Sequence, residues 1–330
     1  MHKKSYIFDY VALILGATIG AGFASGQEIV TFFARFGFVS VFFVVLFCVI
    51  FAYCLNLLLS FSKNSCYNNL KNNCYLNSIL SIIFFMISAN MLAGTNELLS
   101  DLIFNFNFPL YSILILFVSY LIINKGLKFI FKINKIIVPI MILITILVCF
   151  LSFFVSPHSN VSVNFDIANL AMLSTSCVLY TFCNVLVVSK IVLKAGEKIE
   201  TENIKKVAII SSISLGTIVV LIILSLLIND NSILFSNMPI VLLAFLINKN
   251  FGYLYSLIIF FSILTTLLAT TYSLTCNHKK KSKLIIYAII FALSLFGFEN
   301  LIEYTYPIIG AIGVIIVYKL NNLKLSNNIV

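Results

Sequence analysis

A chain of 330 residues in which 61% are hydrophobic and 10% charged, with a mean hydropathy of +1.11, cannot be a soluble globular domain, where about 25% of residues carry charge. Composition makes it a polytopic membrane protein. The formal charge of +10 would suit nucleic acid in a soluble chain, but here the placement of charges matters more than their sum.

Ten apolar segments follow one another, at 7–36, 38–61, 77–104, 110–123, 136–155, 167–192, 207–228, 251–276, 284–298 and 304–320. Each is expected to form a helix across a hydrocarbon core about 30 Å thick, which takes about 20 residues. The fourth and ninth are short. With no Trp, the interfacial aromatic belt falls to the 15 Tyr. Placing the N-terminus in the cytoplasm sends all of the 21 Lys and Arg residues inside except Arg35 and Lys249. One helix more or fewer would invert every later loop, so this asymmetry supports ten spans with both termini cytoplasmic. The lipid bilayer is the partner so implied; neither nucleic acid nor an obligate protein partner is expected.

The first segment carries GATIGAGFASGQE, with Gly16, Gly20, Gly22 and Gly26 out of 13 glycines in the chain. Glycine costs an unbroken helix about 1 kcal/mol relative to alanine. In a bilayer, backbone freed from helical bonding is tolerated only inside protein or beside a wet cavity. The pattern fits a helix that stops near Ala17, crosses an unwound link and resumes near Ala24, as in transporters that hold substrate and ion at broken helices. It also fits a packing face, because Gly16, Gly20 and Gly26 would let a neighbouring helix approach closely. The MHKK start and small residues Gly22 and Ala24 superficially resemble a cleaved leader. Asp9 interrupts the apolar run, and cleavage would leave nine spans, so the segment is read as retained.

The eight cysteines include no CxxC. Cys48, Cys54, Cys149, Cys177 and Cys183 lie in apolar segments, and Cys66, Cys74 and Cys276 fall on the reducing cytoplasmic side. His2, His158 and His278 lie outside the spans. This points to no disulfide scaffold, no cofactor, no zinc site and no enzyme.

Polar residues inside spans are costly and are read as functional. In the third segment Asn90, Gly94, Glu97 and Asp101 share a face at i, i+4, i+7 and i+11. Asp101 reads as a solvated interfacial acid; Glu97 is deeper, and fits a gate or proton site as well as a structural role. In the eighth, Thr265 and Thr266 precede Thr270, Thr271 and Ser273. Such hydroxyls most often bond back to the carbonyl four residues earlier, or two adjacent ones facing unwound carbonyls could coordinate a monovalent cation. In the sixth, Ser174, Thr175, Ser176, Tyr180, Thr181 and Asn184 form a polar patch, and Asn184 marks a candidate second break. Glu28 follows the link by one turn and shares a face with Ala24. Three roles are open to it: a favourable charge at a helix start worth about 0.3–1 kcal/mol, a gate, or a proton acceptor. Arg35 lies about 10 Å further along the axis, too far for a direct intrahelical pair.

GATIGAGFASGQEI in the first segment, YTFCN in the sixth, TT in the eighth and YPIIGAIG at 306–313 resemble the YkvI family of bacterial membrane proteins. That family is similar to the amino acid, polyamine and organocation permeases, which share the LeuT fold. The resemblance covers nearly the whole chain. It implies an all-α transporter domain of ten transmembrane helices in a bacterial plasma membrane. Two inverted five-helix repeats, approximately 5–155 and 165–320, would place discontinuous first and sixth helices face to face. It also implies a substrate carboxylate on the amides of Ala21, Gly22 and Phe23 beside Gly20, where free N–H groups and the helix macrodipole attract an anion. Tyr180 and Asn184 would line the pocket, and a sodium ion would sit between carbonyls of Gly16 and Ile19 and hydroxyls of Thr265 and Thr266. Sodium is preferred over protons because no lysine lies within 136–155 to replace the cation with a fixed charge. The implied function is secondary active transport, a cation-coupled symport of an amino acid or similar small solute by alternating access. The alternative is an amino-acid-sensing receptor subunit of the spore germinant type, without net transport.

Overall fold

The computed structural model describes residues 2–63, 74–103, 109–123, 127–155, 167–229, 231–275 and 280–327. Cys66, Cys276, His158 and His278 lie outside them. Every regular element among the described residues is helical. The first apolar segment is divided into α1 (His2–Thr18), α2 (Ala21–Ser25) and α3 (Gln27–Phe32), followed by a 3-10 turn at Ala34–Val39. Then come α4 (Ser40–Phe61), α5 (Cys74–Leu102), α6 (Leu110–Ile123), α7 (Leu127–Ser152), α8 (Ile167–Gly196) and α9 (Thr201–Ile228). A second 3-10 turn (Asn231–Phe235) leads to α10 (Pro239–Ile247), α11 (Lys249–Thr275), α12 (Lys280–Ser294) and α13 (Phe298–Asn327).

Six helices among the described residues are long and apolar enough to cross a membrane, and shorter apolar helices lie at Ile7–Thr18, Leu110–Ile123, Ile136–Ser152 and Ser282–Ser294. Large apolar side chains face outward along them, such as Phe42, Val45 and Val49 on α4, Phe117 on α6 and Leu143 and Phe150 on α7. Apolar surface on this scale is stable only against lipid or protein. The chain is a multi-pass helical membrane protein.

The helices pack in two groups. α4 packs on α8 and α9, both of which also touch α1, while α11 packs on α5, α6, α7 and α10, and α12 on α5 and α6. The divided first segment lies between them: α1 touches α8 and α9, whereas α2 touches α5, α7, α10 and α11. Its interruptions are glycine-driven. Gly20 is extended (φ −96°, ψ −173°), and Gly26 is left-handed at φ 88°, a conformation that costs other L-residues about 1–2 kcal/mol. A Cβ at Gly26 would also lie 2.8 Å from Ile240 Cγ1 at the start of α10.

The expected break in the sixth segment is not present. α8 runs unbroken from Ile167 to Gly196, and the Asn184 amide donates to the Tyr180 carbonyl at 2.9 Å within its own helix. No glycine or proline interrupts 167–195, so nothing offsets the cost of opening the helix in a bilayer. The discontinuity is confined to the first segment, where the link is shorter than expected. α1 reaches Thr18 and the helix resumes at Ala21 rather than Ala24.

Candidate functional site

The break in the first segment leaves backbone groups that a straight helix would pair. The Gly20 N–H turns to the Thr18 carbonyl at 3.0 Å, so the Gly16 carbonyl loses its donor four residues on. At the second break, Ser25 Oγ donates to the Gly22 carbonyl (2.9 Å), and the Gly26 N–H reaches Phe23 O (3.1 Å). The Ala24 carbonyl accepts from the Tyr255 hydroxyl of α11 at 2.6 Å. Tyr255 is itself 2.9 Å from Thr145 Oγ1 of α7. A chain of hydroxyls thus fixes α2 to the α7–α11 side of the molecule and satisfies the Ala24 carbonyl in an apolar interior.

On the opposite side, α3 is matched to α8 turn for turn. Tyr180 donates its hydroxyl to Glu28 Oε2 at 3.1 Å, and one turn earlier Ser176 donates to the Phe32 carbonyl at 3.1 Å. Residues 28 and 32 of α3 and 176 and 180 of α8 each share a face at i, i+4. An uninterrupted α8 is what supplies this register.

The third partner comes from α13. Gly310 and Gly313 bring this helix against α8 so closely that a Cβ at Gly310 would run into the Leu179 carbonyl, and one at Gly313 would come 2.7 Å from the Phe182 carbonyl. One turn before Gly310, Tyr306 donates its hydroxyl to Glu28 Oε1 at 2.7 Å. Glu28 is 5% exposed, Tyr180 0% and Tyr306 7%, so the carboxylate is enclosed with two phenols. Phe32 stacks on Tyr180 at 5.0 Å and lies 6.3 Å from Tyr306. Phe33 and Phe47 close the outer side of Tyr180. From α2, Gly22 completes the seat, because a Cβ there would collide with Glu28 Oε1.

Among the residues singled out by sequence, the structure therefore gathers Gly22, Glu28 and Tyr180. Phe23 and Ile19 are buried nearby in the chain, at 1% and 2% exposure, and the Cβ position of Gly20 faces open space. Of Ala21 only the backbone is described. Asn184 is held by its own helix. Gly16 faces Val138 of α7. Thr265 and Thr266 both donate to the Ser262 carbonyl at 3.0 Å, the back-bonded arrangement, which leaves the hydroxyl lone pairs free. Glu97 is elsewhere, accepting from the Asn237 amide just before α10. Arg35 pairs at 3.5 Å with Glu303, both half exposed, so the two charges outside the bundle core satisfy each other and not Glu28.

Sequence reasoning quoted Tyr306 only as part of a motif and passed over Tyr255, Thr145 and Glu303. A signal existed for the tyrosines: a phenol deep in an apolar helix needs a hydrogen-bond partner, and the acids and freed carbonyls available to them are few.

No family model matches the chain. It is similar to the uncharacterized membrane protein YkvI of Bacillus subtilis (strain 168), with 25% identity over 317 residues, covering 91% of this chain and 90% of that one.

Proposed function

We propose that this protein is a secondary active transporter in which a small solute, an amino acid or a related compound, binds at the divided first helix. The observation that carries this reading is the enclosed Glu28–Tyr180–Tyr306 cluster built on that helix. An intramembrane carboxylate facing the bundle interior is expensive unless it serves binding or translocation. A divided helix between two packed groups is the arrangement on which alternating access operates. Solute contacts are assigned to Gly20, Ala21, Gly22, Phe23 and Tyr180, with Asn184 one turn further along α8.

The packing supports ten spans in two inverted repeats. Numbering the ten apolar segments in order, several packed pairs map onto packed pairs when each segment is exchanged with the one five later. The second with the seventh and the third with the eighth are self-paired, and the first with the seventh corresponds to the sixth with the second. The third with the tenth corresponds to the eighth with the fifth.

Sodium coupling is supported by the Gly16 carbonyl freed by the link, by Ile19 within it, and by the unused lone pairs of Thr265 and Thr266. Glu28 and Glu97 are the acids available for gating or for proton coupling. The test is uptake of labelled amino acids by the purified full-length chain in liposomes, with and without a sodium gradient. Accumulation driven by a gradient is expected; saturable binding without accumulation would favour the sensing alternative, and no binding would remove both. Replacing Thr265 and Thr266 together by Val, which preserves shape, is expected to abolish the sodium effect with folding intact. Sodium dependence that survives the double change would remove the cation site.

A further inference from the structure

In an undivided helix the carbonyls of Gly22, Phe23 and Ala24 would accept from the N–H groups of Gly26, Gln27 and Glu28, four residues on. The left-handed Gly26, at φ 88°, reassigns all three. Its own N–H moves to Phe23 O at 3.1 Å, the Ser25 hydroxyl takes the Gly22 carbonyl at 2.9 Å, and the Tyr255 hydroxyl takes the Ala24 carbonyl at 2.6 Å. Two side-chain hydroxyls thus stand where two backbone amides would, and the Gln27 N–H is left with a long 3.4 Å approach to Ser25 Oγ.

Tyr255 and Thr145 carry one hydroxyl proton each, yet three contacts compete for the two. They are Tyr255 to Ala24 O at 2.6 Å, Tyr255 to Thr145 Oγ1 at 2.9 Å, and Thr145 to Met141 O at 2.8 Å. If Tyr255 turns its proton to Thr145 while Thr145 keeps Met141, both hydroxyls remain satisfied and the Ala24 carbonyl is released. Its donor is then the Glu28 N–H, once Gly26 leaves the left-handed region, a change that glycine makes at little steric cost. Ala24, Thr145 and Tyr255 are all buried, where an unpaired carbonyl is costly. Each arrangement pairs the Ala24 carbonyl and both hydroxyl protons, so neither carries that penalty.

We propose that the break at Gly26 is a reversible switch. Tyr255 holds α2 and α3 apart by occupying the Ala24 carbonyl, and by turning to Thr145 it lets them join into one helix over 21–32. The joined form dismantles the seat of Glu28. In the divided form a Cβ at Gly22 would collide with Glu28 Oε1. On a continuous helix, with a rise of about 1.5 Å and a turn of about 100° per residue, positions 22 and 28 lie about 9 Å apart along the axis and about 120° apart around it. Tyr255 thereby governs whether the carboxylate sits between Tyr180 and Tyr306, although its own bonds go to Ala24 and Thr145. A buried element with two fully bonded arrangements is the kind that switches between discrete states. The inference goes beyond the transporter reading and concerns the helix itself, whatever the site binds.

The test places two near-isosteric substitutions at atoms 2.9 Å apart and expects them to act in opposite directions. Tyr255→Phe removes the hydroxyl that holds the Ala24 carbonyl and favours the joined helix. Thr145→Val removes the alternative acceptor and favours the divided one. Deuterium exchange of the Gln27 and Glu28 amides, read by mass spectrometry on the full-length protein in detergent, reports the difference, because these N–H groups are helix-bonded only when α2 and α3 join. Exchange there should slow by about two- to tenfold in Tyr255→Phe relative to the unsubstituted protein, the effect of one hydrogen bond. In Thr145→Val it should quicken or stay equal. Unchanged or quicker exchange in Tyr255→Phe would overturn the switch and leave Tyr255 a fixed anchor, and slowing in both variants would overturn it equally. Failure of Tyr255→Phe to fold would also overturn it, since the Ala24 carbonyl would then have no second donor.

Discussion

A carboxylate enclosed in an apolar bundle stays where its donors hold it, and at Glu28 the donors come from helices far apart in the chain. Tyr306 reaches it across 278 residues and Tyr180 across 152, while Gly22 supplies only the absence of a side chain. That makes Gly22→Ala an informative change. The added methyl would strike the far end of a flexible side chain, so Glu28 can rotate away and the fold survives. What is lost is the seat between the phenols, where each hydrogen bond to a charged group is worth about 1.5–3 kcal/mol. Thermal unfolding in detergent should show destabilisation of that order, together with loss of solute binding. For stability Gly20→Ala is the control, since its Cβ would meet nothing within 4 Å at a φ of −96°. Equal destabilisation by the two changes would deny Gly22 its role. Glu28 and Tyr180 were legible as polar groups in apolar spans. Their meeting was not, because no local pattern encodes a contact between helices 152 residues apart.

Among elements, glycine was a better guide to helix breaks than polarity. The first segment is broken where its glycines fall, whereas the polar patch of the sixth is absorbed by back-bonding. Thr181 donates to Cys177 O at 2.7 Å, and Asn184 to Tyr180 O. Side chains that satisfy themselves on their own helix leave it intact. The second interruption, at Gly26, was not foreseen, since sequence does not reveal which glycine takes positive φ. Nor was α10, whose nine apolar residues are too few to cross a membrane and read as a loop, despite Pro239 in the first turn where proline is favoured. These two unforeseen features meet. Gly26→Ala should cost about 1–2 kcal/mol for the left-handed backbone alone, plus the clash with Ile240. Combining it with Ile240→Ala should relieve the steric share but not the backbone share, so the double variant should be less destabilised than the two single effects summed. Strict additivity in thermal unfolding would mean that α10 does not bear on the hinge.

For the whole molecule, contacts between helix ends sort them into two faces. At one face, Arg35 after the first segment pairs with Glu303 near the start of the last helix, Gly94 lies against Phe298, and Glu97 on α5 accepts from Asn237 before α10. At the other, Lys63 after α4 donates to the Glu197 carbonyl after α8 at 3.0 Å. Segments that alternate in direction, starting inside, bring the ends of the first, third and seventh and the start of the tenth to the outer face. They would bring the ends of the second and sixth to the inner face, an arrangement compatible with these contacts. The exposed pairs contribute little stability, and their value here is as markers of which ends are neighbours. The proposed orientation places the lysine-rich face in the cytoplasm. Cysteines introduced at Asn160, which lies outside the described residues, and at Asn231, which opens the second 3-10 turn, should then react from outside intact cells with an impermeant thiol reagent. Cys66 and Cys74 should be protected until the membrane is opened. Of these positions Asn231 is the more telling, because it tests the seventh segment and so depends on every crossing before it. Labelling of Cys66 from outside, with Asn231→Cys protected, would invert the molecule and place the Arg35–Glu303 pair on the cytoplasmic side.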